Sequence, residues 1–197
     1  RHCGRPVLEI WDHSSRAIDM VLGIDHRAAG EMMARTMLDR GYRKPAWVGP
    51  DEGFDSRAEE RLEGFARTFA KAGYPLVHTG RVGRPHSFEG GLSGTRACLA
   101  DAAPDLIFYL NDHMALGGLM ECERQGLSVP DDIGLAGFND LSVNDVLNRR
   151  LTTIRTPRRD MGEAGARMLV ASILNVPQRK VEPMGVTFVE GDTTRHS

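Results

Sequence analysis

Cysteine is scarce. Cys3, Cys98 and Cys122 are the only three in 197 residues, and an odd, scattered set with no CxxC pair excludes a disulfide framework or a zinc ribbon. Such usage fits a reducing, cytoplasmic setting. Neither sign of charge is in excess, since Lys+Arg 25 against Asp+Glu 27 leaves −2. Nothing in that balance draws these residues to phosphate backbones or anionic lipid. Long apolar runs are missing too. Stretches such as Leu106 to Leu110 fall far short of the roughly 20 residues a membrane helix needs, so no membrane span is expected. Enzyme signatures are equally absent: the chain holds no GxxxxGK[ST] loop, HExxH helix or GxSxG elbow, and no two of its seven histidines stand at i, i+4. Nothing calls for a cofactor or a metal.

What is present describes a folded chain. Hydrophobic residues make up 41% and charged residues 26%, too apolar for disorder and ample for the core of one large domain or two small lobes. The start, Arg1-His2-Cys3-Gly4-Arg5, has neither an initiator Met nor an apolar signal core and reads as a cut, with sequence expected upstream.

Short apolar runs alternate with helical periodicity, the pattern of βα units around a largely parallel sheet. Strands are expected at Val7–Ile10, Met20–Ile24, Ala46–Gly49, Leu76–Thr79, Leu106–Leu110, Ile133–Gly137 and Val186–Val189. Between Arg57 and Ala72, Leu62, Phe65, Ala66, Phe69 and Ala70 repeat at helical spacing, with Gly73 placed to end the helix. Further helices are expected at His26–Arg40, Glu89–Ala102, His113–Gln125 and Asp160–Leu174. The Gly90-Gly91-x-x-Gly94 cluster falls in the first turns of one of them rather than in a phosphate loop. His26 and His113 read as surface or cap residues rather than metal ligands.

Open α/β sheets bind ligands beyond the carboxyl ends of their strands. Polar residues cluster at four such places: Asp25; Asp55, Arg57 and Arg61; Asn111 and Asp112; Asn139 and Asp140. Helix capping explains one residue of each Asn-Asp pair, Asp112 being the expected cap, which leaves Asn111 and Asn139 to face a ligand with both a donor and an acceptor. For Arg61 the plain alternative is a solvated helix charge paired with a nearby Glu.

At these residues the sequence resembles the lac repressor/galactose repressor family of bacterial transcription regulators. The resemblance runs in order through Gly23-Ile24-Asp25-His26-x-x-Ala29-Gly30, Arg40-Gly41-Tyr42-Arg43, Arg61-x-x-Gly64-Phe65 and Asn111-Asp112-x-Met114-Ala115-Leu116-Gly117. It continues through Gly126-Leu127-x-Val129-Pro130-Asp131-Asp132-Ile133, Gly137-Phe138-Asn139-Asp140 and Leu151-Thr152-Thr153-Ile154. It implies an α/β, periplasmic-binding-protein-like fold of two Rossmann-type lobes with parallel sheets, the first lobe incomplete. Residues 1–45 and 154–180 would belong to the N-terminal lobe and 46–153 with 181–197 to the C-terminal lobe. The helix-turn-helix DNA-binding domain and the opening βαβα of the first lobe are not in this sequence. Operator DNA would therefore be reached only through that further domain, and these residues would sense a small-molecule effector and form a homodimer. The His113–Gln125 helix carries Met114, Leu116, Leu119, Met120 and Cys122 around more than one face, so its surplus apolar face is the expected interface.

Carried over position by position, Arg61 matches the arginine that holds effector hydroxyls or carboxylates. Asn111 and Asp25 match polar contacts, Arg57 and Asp55 occupy variable specificity positions, and Phe88 is matched to a ring lining the pocket. Asn139 departs from the pattern, because most members have Asp there. An aspartate would repel an anionic effector where a neutral amide donates to it, so the resemblance with this departure points to a sugar acid over a neutral sugar. Glu9-Ile10-Trp11-Asp12, and Arg155-Thr156-Pro157-Arg158 running to Met161-Gly162, resemble the gluconate-repressor branch. Two other classes share parts of the pattern: a periplasmic-type sugar-binding protein, which would show an export signal upstream, and an α/β enzyme, which would need a nucleophile, metal set or cofactor fingerprint that is not seen.

Overall fold

The computed structural model describes residues 5–12, 17–177 and 179–196. In chain order the elements are β1 (Leu8–Trp11), β2 (Met20–Ile24), α1 (His26–Asp39), β3 (Pro45–Pro50), α2 (Ser56–Lys71), β4 (His78–Val82) and α3 (Phe88–Asp101). They continue with β5 (Leu106–Tyr109), α4 (Asp112–Arg124), β6 (Gly134–Ala136), β7 (Thr153–Arg155), α5 (Arg158–Ile173), β8 (Val181–Met184) and β9 (Thr187–Val189). A 3-10 turn over Ser142–Val146 lies between β6 and β7. Two compact units result: unit 1 is Arg1–His26 with Thr156–Val186, and unit 2 is Arg27–Arg155 with Thr187–Ser197.

In unit 1 three parallel strands lie in the order β1-β2-β8, with Val21 level with Glu9 on one side and Val181 on the other. All five residues of β2 are buried, as a parallel strand between two neighbours requires. Met161, Ala164 and Met168 recur at helical spacing and form the buried stripe of α5. Gly165 of that helix stands beside Leu8 and Leu22 of the sheet.

In unit 2 four parallel strands run in the order β4-β3-β5-β6. One face of this sheet carries Trp47 and Phe108, whose rings meet edge to face at 5.2 Å, and Phe65 of α2 joins them 5.0 Å from Phe108. The other face carries Val48 and Tyr109. Gly94 of α3 sits over Val48 and Val82, and Gly118 of α4 over the Tyr109 hydroxyl, which Thr95 also meets at 2.7 Å. The two helices cross with almost no side chain between them. A Cβ on Gly91 would strike the Met114 carbonyl, and one on Gly117 would strike the Phe88 carbonyl. The glycine cluster therefore serves helix packing within α3, as its expected helical position implied.

Unit 2 is closed by its last segment. β9 pairs antiparallel with β7, and beyond it Thr193 donates to the Leu135 carbonyl (2.7 Å) while accepting from Thr152 N (2.9 Å). Arg40, buried on α1's exit, reaches Thr194 Oγ1 at 2.9 Å and Glu190 at 3.1 Å, and Arg195 N donates to the Tyr42 hydroxyl.

Several expectations need correction. α1 groups with unit 2 rather than with the first lobe, because it lies against α2: Gly30 abuts the Arg61 carbonyl and Gly64 the Arg27 carbonyl, with ion pairs Arg27–Glu63 (2.7 Å) and Arg67–Glu31 (2.5 Å) alongside. The break expected at 180/181 falls at 186/187, because Val181–Met184 pairs with β2. That strand has no apolar run to announce it. β4 lies later than expected because His78–Val82 pairs with Ala46–Pro50. His26 is buried at 2% exposure, its Nε2 3.0 Å from the Trp11 carbonyl, so it is not a surface residue. The apolar girth of α4 is largely covered by α3 and the sheet: Met114, Leu116, Leu119 and Cys122 are buried, and only Met120 of the five is exposed, at 48%. The surplus face is therefore an intramolecular one.

Candidate functional site

The polar residues of unit 2 gather where β3, β5 and β6 end. After β3 the chain turns into α2, and Asp55 caps that helix by accepting from Arg57 N at 3.0 Å. The same oxygen accepts from Arg57 Nε at 3.1 Å. Burial pushes the Asp55 carboxyl up, but the charge and hydrogen bonds of Arg57, with the charge of Arg61 behind them, outweigh it and hold the group below the ordinary aspartate range.

One turn into α2, Arg61 points inward and is 4% exposed, not a solvated helix charge. Its guanidinium lies 4.1 Å over the ring of Phe138 and donates from Nη2 to the Leu110 carbonyl at 3.4 Å. Arg61 thus touches the residues following β5 and β6 at once. Burial, with the nearby Arg57 charge, lowers it, Asp55 and Glu60 oppose that, and the guanidinium ends at about 10. Phe138 was not singled out from the sequence, although its place one residue before Asn139 was the available signal.

Asn111, not Asp112, caps α4. Its Oδ1 accepts from Met114 N at 3.0 Å, and its Nδ2 is directed at the Pro85 carbonyl (3.1 Å) and His86 Nδ1 (3.0 Å). Asn111 is 3% exposed. The expected free amide is therefore engaged, and His86, passed over in the sequence, takes the exposed position beside it. Asp112 is wholly buried and is a tie: Oδ1 accepts from Thr153 Oγ1 (2.6 Å) and Oδ2 from Leu141 N (2.8 Å).

Asn139 and Asp140 both have positive φ, 111° and 53°, a conformation that L residues adopt at a cost and that collects at functional sites. The turn is pinned by Asn139 N on the Ile154 carbonyl at 2.8 Å and by Arg155 Nε on Asp140 Oδ2 at 2.6 Å. Burial pushes Asp140 up, yet hydrogen bonds from Asn144 and Arg155 bring it below its ordinary value. Asn139 is half-buried, and its side chain makes no hydrogen bond among the described residues, unlike that of Asn111.

The structure thus brings together Asp55 with Arg57, and Arg61 with the residues preceding Asn111 and Asn139. Phe88 stands apart from them at the start of α3, 47% exposed and edge-on to His113 at 5.4 Å. Asp25 is exposed and lies in unit 1, directly before α1. Among the described residues no group of three His, Cys, Asp or Glu is placed to hold a metal, and no helix is long and apolar enough to cross a membrane.

The family model for the periplasmic binding protein-like domain matches residues 34–194. The chain belongs to that family. As a periplasmic-binding-protein-like domain it has the expected α/β architecture with parallel sheets. It is 33% identical over 171 residues to the HTH-type transcriptional regulator GntR of Escherichia coli (86% of this chain, 51% of that protein). To the regulator of the same name in Pseudomonas aeruginosa it is 36% identical (86% and 50%). Among solved structures it superposes on a LacI-family transcriptional regulator from Silicibacter pomeroyi with a TM-score of 0.90, at 31% identity, covering 98% of this chain and 59% of that one. The domain therefore spans about half the length of the curated relatives it matches.

Proposed function

We propose that this chain is the effector-sensing domain of a LacI-type DNA-binding transcriptional regulator, a repressor whose effector is a small sugar acid such as gluconate. The observation that carries this reading is the rim of unit 2: a buried guanidinium, Arg61, laid on Phe138, the residue that precedes the neutral Asn139. A planar fork held in a low-dielectric setting recognises a carboxylate or vicinal hydroxyls by charge-assisted bonds. A neutral residue at 139 leaves that attraction unopposed. Arg57, Asp55, Asn111 and Phe88 complete the proposed binding set on unit 2, with Asn111 acting through His86 and Phe88 as its outermost member, and Asp25 is a separate candidate on unit 1. The likeness to regulators named GntR, over a segment resembling the gluconate-repressor branch, supports both the role and the ligand class.

In this reading the whole regulator is a cytoplasmic homodimer that meets operator DNA through a separate N-terminal domain, since two-fold operators are read by two-fold proteins. A monomer in sedimentation at micromolar concentration would count against the dimer. The test of the ligand class is a thermal-shift screen of sugar acids and neutral sugars on the full-length protein. A ligand at about a hundred times its dissociation constant adds about 2.7 kcal/mol of stability. Stabilisation by gluconate or another aldonate, and not by glucose, is expected. Stabilisation by neutral sugars alone overturns the sugar-acid reading.

A further inference from the structure

Resting on that effector-site reading, we propose that His86 is a fixed hydrogen-bond donor to the effector, its outward Nε2–H set by Asn111.

The argument begins with the cap of α4. A helix leaves its first N–H groups without partners, and here the Oδ1 of Asn111 takes the one on Met114. That commitment decides the orientation of the amide, so Nδ2, which can only donate, faces the Pro85 carbonyl and His86 Nδ1. A donor directed at Nδ1 requires that ring nitrogen to accept. In the neutral imidazole the proton then sits on Nε2, the nitrogen turned away from Asn111.

The loop that carries the ring is held in place as well. Ser87 Oγ donates to the Arg84 carbonyl at 2.9 Å and accepts from Gly90 N at 3.0 Å, and Pro85 is buried, so the short connection from β4 to α3 is tied at both ends. The anchor, Asn111, is buried while His86 itself is exposed. An exposed imidazole with a determined tautomer is a presented donor rather than a packing element. It also lies where the ligand is proposed to be: Asn111 directly follows Leu110, whose carbonyl receives Arg61. Two donors, the Arg61 guanidinium and the His86 Nε2–H, are thus anchored to consecutive residues, Leu110 and Asn111, after β5. An aldonate offers them a carboxylate and a row of hydroxyl oxygens.

Gluconate titration by calorimetry on the full-length protein tests this with paired variants. His86→Gln keeps a donor near the ε position and gives up the acceptor near δ, whereas His86→Asn keeps the acceptor facing Asn111 and gives up the outward donor. Gln is expected to bind gluconate within about threefold of wild type, and Asn and Phe about tenfold more weakly, the size of one hydrogen bond to a ligand. The reverse order, with Asn retained and Gln impaired, would show that His86 merely steadies Asn111 and overturns the proposal. Equal binding by all three variants overturns it too. If Arg61→Ala impairs binding while the His86 variants do not, His86 alone is excluded and the site stands. If the wild type binds neither gluconate nor any other aldonate, both inferences fall.

Discussion

Arg61 is the residue at which ligand recognition and stability should pull in opposite directions, and replacing it with methionine, similar in reach but neutral, separates them. Burial brings its guanidinium down to about 10, and at about 1.4 kcal/mol for each pH unit folding with it charged costs about 3 kcal/mol. The contact with Phe138 returns about 1–2 kcal/mol of this. Arg61→Met removes both effects and buries an apolar chain in their place. Unfolding at neutral pH should therefore be unchanged or require about 1 kcal/mol more, a rise in Tm of about 2–4 °C for a chain of this size. Sugar-acid binding should fall instead, by about 10- to 150-fold for the loss of 1.5–3 kcal/mol of charge-assisted bonding. Arg61→Lys restores the charge without the fork and should recover only part of the affinity. Differential scanning calorimetry and gluconate titration on the same preparations read both quantities. A variant that loses more than about 2 kcal/mol of stability while binding gluconate normally would make Arg61 a structural residue and refute the reasoning.

Asn139→Asp exchanges an amide donor for a carboxylate in the same turn, so gluconate affinity should drop while that for a matched neutral sugar holds or rises; calorimetry showing no change in either would reduce Asn139 to a turn residue. Gly117→Ala drives a methyl into the Phe88 carbonyl and should destabilise by about 1–3 kcal/mol in urea unfolding. Gly162→Ala, on α5 with nothing within 4 Å of the new methyl, should instead stabilise by about 0.5–1 kcal/mol. Asp140 is more acidic in the fold than in the unfolded chain, so the stability it contributes is complete above the ordinary aspartate range and is lost as pH falls through the lower folded value. Wild type should therefore surpass Asp140→Asn in urea midpoint at neutral pH and converge with it in acid, and a gap that widens in acid would contradict the assignment.

The helices were legible because burial and periodicity coincide in them. Leu62, Phe65 and Phe69 marked α2 to within a residue of Ser56–Lys71, and β5 announced itself as an unbroken apolar run. β8 was hidden, since Val-Glu-Pro-Met alternates exposed and half-buried positions and reads as a loop until β2 is beside it. The membership of α1 was hidden for a related reason: that it rests on α2 depends on Gly30 and Gly64 meeting carbonyls far away in the chain, which no local pattern records. At the rim, the residue types were visible but their assignments were not. Asn and Asp are equally good caps, and the choice between Asn111 and Asp112 was made by Thr153 and Leu141, which claim the aspartate from a distant stretch. Once Asn111 became the cap, the exposed polar position passed to His86, a residue with no motif around it.

The closing segment of unit 2 also dictates a schedule. Of unit 2 a ribosome delivers Arg27–Arg155 first; the Thr156–Val186 stretch of unit 1 follows, and only afterwards come the residues that bond Arg40, Thr152 and the Tyr42 hydroxyl. Through that interval the larger unit holds polar groups destined for burial whose partners have not yet been synthesised, and the edge of β7 lacks β9. Nascent units normally mature one after the other; here the interleaving forces the second to wait for a tail that emerges after part of the first. Translation halted between residues 155 and 187 would leave this intermediate on the ribosome, with an open strand edge of the kind that chaperones and aggregates capture.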